Sequence, residues 1–208
     1  MGTSVDRIIT IIDEAHNLPD WARSAASESM TLESINRALN EVKDYGYQLG
    51  NGRDPVQFLN FVEASIEKLA EDHIVKNEDE GLLPSHIVSP DSETSTFETE
   101  MMSLGKMTLF RLKQDSTELA KMGQMIRQNL LDHGKRPRSY LGSVGDFLCR
   151  WLDSIESHTI RLVGDNPLRL EKVCLDPRIM TGFLDETAGV VSMSGTISPL
   201  AVSYTHLR

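Results

Sequence analysis

Ile8-Ile9-Thr10-Ile11-Ile12-Asp13-Glu14-Ala15-His16 is the stretch on which the reading of this chain turns. A short β-branched run with apolar residues on both faces reads as a buried strand of a parallel sheet. It ends abruptly in two acids. A strand end fixes a carboxylate in space while leaving it in reach of solvent, the design that nucleotide hydrolases use to hold Mg²⁺ with one acid and polarise water with the next. The same residues could equally open a helix, with Asp13 and Glu14 serving the helix dipole.

Working outward, Asn17-Leu18-Pro19-Asp20 reads as the turn into a helix over about 20–29. From Thr31 the apolar period becomes helical, with Leu32, Ile35, Leu39 and Val42 on one face of a helix ending between Tyr47 and Gly50. Asp54 is a good N-cap and Pro55 a good first helical residue, so a second helix runs to about Asp72 through Leu59, Val62, Ile66 and Leu69. The two are expected to form an antiparallel hairpin. Residues 76–100 read as a long acidic loop with one short strand, Leu82 to Val88. A single helix is expected from Met101 to Leu131 and another from Val144 to Ser157. Strands return at Thr159 to Val163, Leu168 to Leu175 and Gly189 to Met193, with Asp176-Pro177 opening a short helix. The fold class expected is α/β: a parallel sheet interrupted by a large, mostly helical insertion.

The 208 residues carry 21 Lys plus Arg against 31 Asp plus Glu, a net charge of −10. The excess is local. Residues 60–100 hold 11 acids and 2 bases, whereas 101–141 hold 8 bases and 3 acids. A polyanion responds to the local field, so the second stretch could face phosphates, although from charge alone a solvated helix face is the favoured reading. Within it, His133-Gly-Lys135-Arg136-Pro-Arg138-Ser-Tyr140 gathers three bases and an aromatic ring, suited to phosphate contact with base stacking or merely to an exposed helix connection. Two cysteines, Cys149 and Cys174, make neither a disulfide framework nor a zinc site, so a cytoplasmic setting is expected. No run is long enough to span a membrane, and no leader peptide is read. His73, His86 and His158 lack metal-ligand spacing, and Met101, Met102, Met107, Met122 and Met125 read as adaptable core.

Ser194-Gly195-Thr196-Ile197-Ser198-Pro199-Leu200 follows the last strand. Alone it is a strand-to-helix turn or a set of small donors beside a catalytic group. Taken with Ile11 to Pro19, it resembles motif III paired with motif II, the Walker B box, of the XPD-type DEAH helicases of superfamily 2, in an archaeal-like form. The helix Phe147-Leu148-Cys149-Arg150-Trp151 and the segment Val173-Cys174-Leu175-Asp176-Pro177 also match; Leu is more usual than Ile197. That family inserts a helical Arch between the two motifs, as the spacing here would allow. The resemblance implies part of a RecA-like motor domain at 1–29 and 166–201, an Arch at 30–165, and a non-native tail at 202–208.

Further implications are specific. Asp13 and Glu14 would bind Mg²⁺ of ATP, and Glu14 would activate the hydrolytic water. His16 would act with it, coupled to motif III through Ser194, Gly195 and Thr196. Lys135, Arg136, Arg138 and Tyr140 are the candidate DNA contacts. The family translocates 5′→3′ on single-stranded DNA, carries a [4Fe–4S] cluster and serves in DNA repair, with repair-protein partners reaching the Arch. No G-x-x-x-x-G-K-[ST] occurs here, since Gly105-Lys106 is followed by Met107. The phosphate loop and the cluster cysteines are expected upstream, so this piece alone should not hydrolyse ATP. A DinG-like helicase fragment and a non-catalytic Arch-type interaction module are the alternatives; Gly195 before Thr196 and the paired acids Asp13-Glu14 weigh against them.

Overall fold

The computed structural model describes residues 4–50, 52–84, 95–153 and 158–195. The chain folds as two compact units, one of Met1–Glu28 with Val173–Arg208 and one of Ser29–Lys172. The second unit is therefore one continuous stretch set into the sequence of the first.

In the first unit, β1 (Ile9–Ile12) pairs in parallel with β6 (Gly189–Ser192), Ile9 opposite Gly189 and Ile12 opposite Ser192. The helix α1 (Leu18–Ala26), with Pro19 in its first turn, packs on the short α7 (Arg178–Thr181) and buries Ala22. The parallel pairing is as expected, but β1 is not buried: Ile9 and Ile11 are each 66% exposed. A parallel pair hides its side chains only where other elements cover both faces. Among the described residues β1 and β6 form a two-stranded sheet.

The inserted unit is mainly helical. α2 (Leu32–Tyr45) starts where the Thr31 hydroxyl accepts from the Ser34 N–H at 3.2 Å, and stops at Gly46, whose φ of 67° needs no Cβ. α3 (Pro55–His73) starts as its sequence reads, with the Asp54 carboxylate accepting from the Val56 N–H at 2.9 Å. Their apolar stripes, with Phe58 and Leu59 among them, enter one core. β3 (Glu80–Leu83) runs antiparallel to β4 (Thr159–Asp165), and β5 (Leu168–Cys174) and β2 (Glu28–Thr31) complete a sheet ordered β2-β5-β4-β3. The boundary expected between 165 and 166 falls in the short connection between β4 and β5. The expected strand to Val88 is observed only as far as Leu83; residues 85–94, His86 included, lie outside the described ones.

One long helix was expected from Met101, but two are found, α4 (Phe97–Gly105) and α5 (Leu109–Asp132). The break sits at Lys106, which takes a left-handed φ of 45°, and Thr108 then caps α5 by accepting from the Arg111 N–H at 3.3 Å. α6 (Tyr140–Asp153) begins four residues before the expected Val144. Ser139 caps it locally, accepting from the Gly142 N–H at 3.0 Å, and Glu41 on α2 adds to this: its carboxylate accepts from the Tyr140 N–H at 2.8 Å, the Leu141 N–H at 2.9 Å and the Ser139 hydroxyl at 2.8 Å. The second cap is supplied from a distant helix. α2 also packs more heavily on α6 than on α3, the helix expected to pair with it. Met101, Met107 and Met122 are core as expected, whereas Met125 is 49% exposed.

α5 and α6 approach backbone to backbone because glycines line their contact. A Cβ on Gly123 would lie 2.0 Å from the Gly142 Cα, and one on Gly145 would lie 2.3 Å from the Ala120 N. Around Trp151 the core is aromatic and charged at once. Phe97 meets its ring edge-on at 6.0 Å, and Arg161 lies 4.6 Å from the ring centroid while pairing with buried Glu98 at 2.8 Å. Buried Asp115 is likewise compensated, by Arg53 at 3.2 Å and Arg111 at 3.3 Å. A buried carboxylate is tolerable only with such partners.

Candidate functional site

The ends of β1 and β6 bring two distant sequences together. The Ile12 carbonyl accepts from the Met193 N–H at 2.8 Å, and the Met193 carbonyl accepts from the Ala15 N–H at 3.0 Å. Asp13 to His16 and Ser194 are thereby placed beside one another. His16 Nδ1 lies 2.7 Å from Ser194 Oγ and 3.2 Å from Glu14 Oε2. One ring nitrogen thus faces two oxygens, and a single N–H cannot point at both.

Glu14 reaches this position with φ 51° and ψ 44°, in the left-handed region. A non-glycine residue there costs about 1–3 kcal/mol, a cost borne elsewhere in the fold and concentrated at functional positions. Asp13 Oδ1 accepts the Glu14 N–H at 2.9 Å. Its second oxygen makes no hydrogen bond or ion pair among the described residues, and both acids are exposed. That donor set suits Mg²⁺, which takes one or two carboxylate oxygens and otherwise water and phosphate. Among the described residues no group of three or more His, Cys, Asp or Glu side chains could hold a metal by itself. Gly195 follows Ser194 in the described chain; Thr196 lies outside the described residues, as do 197–208.

The basic turn forms a separate surface on the inserted unit. Lys135, Arg136 and Arg138 are exposed, and none of their side chains forms an ion pair among the described residues. Tyr140 opens α6 with one face of its ring under Arg37, 4.9 Å from the centroid. The Tyr140 hydroxyl accepts from Arg37, and Glu33 pairs with the same guanidinium; both hold Arg37 above its ordinary pKa, Tyr140 the more strongly. That ring face is occupied, so any stacking by Tyr140 must use the other. Sequence reasoning passed over Arg127, which belongs to this surface. It lies across Gly142, whose Cβ would sit 2.6 Å from its Nη1. The glycines at 123, 142 and 145 were the available signal.

Cys149 lies on α6, 3.9 Å from the Thr117 hydroxyl, and burial pushes its thiol above the ordinary pKa. Cys174 ends β5, its amide donating to the Ser27 hydroxyl at 2.9 Å. Two cysteines so placed do not make a [4Fe–4S] ligand set.

A mostly helical insert set into a unit with a parallel strand pair is a fold shared with solved XPD helicases. The chain belongs to the helical and beta-bridge domain family, whose profile matches residues 38–207. It is 23% identical over 219 residues to the ATP-dependent DNA helicase chl1 of Aspergillus clavatus, covering 100% of this chain and 29% of that protein. Among solved structures, an XPD helicase superposes with a TM-score of 0.61 at 17% identity, covering 100% of this chain and 30% of the other. An apo XPD structure gives 0.51 at 14% identity, over 92% of this chain and 31% of that one. The chain thus spans under a third of the relatives it matches. Among the described residues no helix is long and apolar enough to cross a membrane.

Proposed function

We propose that this chain is a portion of an ATP-dependent DNA helicase, comprising the end of the motor's nucleotide site and the Arch. The observation that carries the reading is the 2.7 Å contact between His16 Nδ1 and Ser194 Oγ, which joins two motifs 178 residues apart in sequence. The β1–β6 pairing sets the two strand ends side by side, and this contact then links the side chain of an exposed His after one strand to that of a half-buried Ser after the other.

In this reading MgATP supplies the scissile phosphoanhydride and the cation that offsets charge on the phosphates. Asp13 offers its unpartnered oxygen to that cation. Glu14 orients the attacking water and accepts a hydrogen bond from it. To do so its carboxylate must turn from His16, whose Nδ1 is then left to Ser194 alone. The state of the nucleotide site is thereby transmitted to the β6 end, and from there to the segment holding Gly195 and Thr196. The inserted unit would guide single-stranded DNA in 5′→3′ translocation, with Lys135, Arg136 and Arg138 among its phosphate contacts and repair proteins as partners of its outer surface. The cluster of the XPD-type enzymes would lie in chain outside these residues.

The test is Glu14→Gln in the complete helicase polypeptide. ATP turnover should fall at least 100-fold, in the range lost with a catalytic base, while nucleotide binding stays near normal. Retained turnover would refute the function assigned to Glu14.

A further inference from the structure

Where α5 meets α6 the surface opens into a cleft of about 350 Å³, lined by Arg127, Pro137, Arg138, Ser139, Tyr140 and Ser143. Its two guanidiniums arrive by different routes. Arg138 belongs to the turn and has no carboxylate partner among the described residues. Arg127 comes from α5, held over Gly142 by the absence of a Cβ, and its ion pair to Asp146 is a loose 3.5 Å. Ser139 and Ser143 complete the wall, with their hydroxyls already donating to Glu41 at 2.8 Å and to the Ser139 carbonyl at 3.0 Å.

The start of α6 contributes little to this field. Glu41 already accepts from the Tyr140 and Leu141 N–H groups and from the Ser139 hydroxyl, and the Gly142 N–H donates to Ser139 Oγ at 3.0 Å. The attraction for an anion therefore comes from side chains. Two guanidinium-bearing side chains line one concave wall, and arginine is the side chain that binds phosphate oxygens bidentately. The volume is at the lower end of ligand sites, about what a phosphodiester with its flanking sugars fills.

We propose that the α5–α6 cleft binds a phosphate group, and specifically a backbone phosphodiester of single-stranded DNA, clamped between Arg127 and Arg138. The inference rests on the DNA-binding part of the function proposed above. Arg127 exchanges its long contact with Asp146 for the phosphate, and Gly142 keeps the path of its side chain clear.

The experiment measures binding of a fluorescein-labelled 12-residue oligothymidylate to the 208-residue chain between about 50 and 200 mM NaCl. It compares wild type with Arg127→Gln and Arg127→Lys. A single-strand phosphate contact adds about 0.7 to the slope of log K against log salt. Arg127→Gln should lower the slope by that amount, about a 2.5-fold change in affinity ratio across the range. Arg127→Lys should keep the slope and lose affinity, because it retains charge without the fork. Inorganic phosphate, titrated while the arginine side-chain resonances are followed by NMR, gives a second readout that does not depend on the variants. Oligonucleotide binding with an unchanged slope and unmoved Arg127 resonances overturns the cleft while leaving the helicase reading intact. Inorganic phosphate shifting Arg127 with no oligonucleotide binding overturns the DNA assignment and the reading beneath it. No response to either probe overturns both.

Discussion

Replacing Gly145 with Ala tests whether α5 and α6 meet through their backbones. The new methyl would lie 2.3 Å from the Ala120 N and 2.8 Å from its Cα, and ordinary contact begins at 3.4 Å. Neither atom belongs to a movable side chain, so the helices must part by about 1 Å, opening the neighbouring Gly123–Gly142 contact. Overpacking of this kind costs about 1–3 kcal/mol, and backbone against backbone belongs at the upper end. The helix itself gains about 1 kcal/mol from Ala over Gly. A net loss of about 1–2 kcal/mol should remain. Gly105→Ala is the matched comparison. Its methyl would lie only 2.0 Å from Met107 Cε, but that is the end of a flexible side chain, and the next atom, Phe61 Cδ2, is at 3.4 Å. Met107 can turn away, leaving a change within about 1 kcal/mol of wild type. Urea denaturation followed by circular dichroism at the helical band, with the midpoints compared at constant slope, separates the two. A Gly145→Ala midpoint at or above wild type would sink the account of this interface.

Two further perturbations follow. Glu98→Gln leaves the Arg161 guanidinium buried without its anion, which should lower unfolding stability by about 3–5 kcal/mol in the same denaturation assay; a loss under about 1 kcal/mol would show that Trp151 alone compensates the charge. Cys149, raised first by burial, keeps its proton beyond the pH at which the unfolded thiol releases it. Its contribution to stability is therefore full below the ordinary thiol pKa and declines as pH rises through the folded value. At about pH 8 iodoacetamide should modify Cys149 more slowly than glutathione, as mass spectrometry would record, and an equal rate would contradict the burial.

Local chemistry was legible in the sequence. Asp54-Pro55 starts α3 where the letters place it, because both residues act on adjacent backbone. The β1 end, too, could be read from Ile-Ile-Asp-Glu. Distant chemistry was not. α6 begins at Tyr140 with Ser139 as a local cap, but the carboxylate about 100 residues earlier that takes the Tyr140 and Leu141 N–H groups has no signal in Arg138-Ser139-Tyr140. The break at Lys106 was hidden because Met101, Leu104 and Leu112 fall at i, i+3 and i+11, one helical face running across it; Gly105 and Thr108 were the cues. Isoleucines in β1 read as buried because the pattern reports affinity for cover and cannot say whether cover is there. At the candidate site, Asp13, Glu14 and His16 were visible as a motif, but their junction with Ser194 needed the β1–β6 pairing. Arg127 looked like one cation on a solvated helix until the glycines drew α6 against it.

The sheet order β2-β5-β4-β3 has a bearing on how the chain assembles. β2 carries the chain into the inserted unit and β5 carries it out, and the two are neighbours. In an unfolded chain, pairing Ile12 with Ser192 closes a loop of about 180 residues. Once β2 and β5 are side by side, the insert is a closed excursion, and only about 35 residues of connecting chain remain to be ordered. The loop-closure entropy then falls by about 1.5 kcal/mol, more than a tenfold gain in the odds of the two strands meeting. The insert is thus a clasp: by folding on its own short-range helices, it draws together the two strand ends that it separates in sequence.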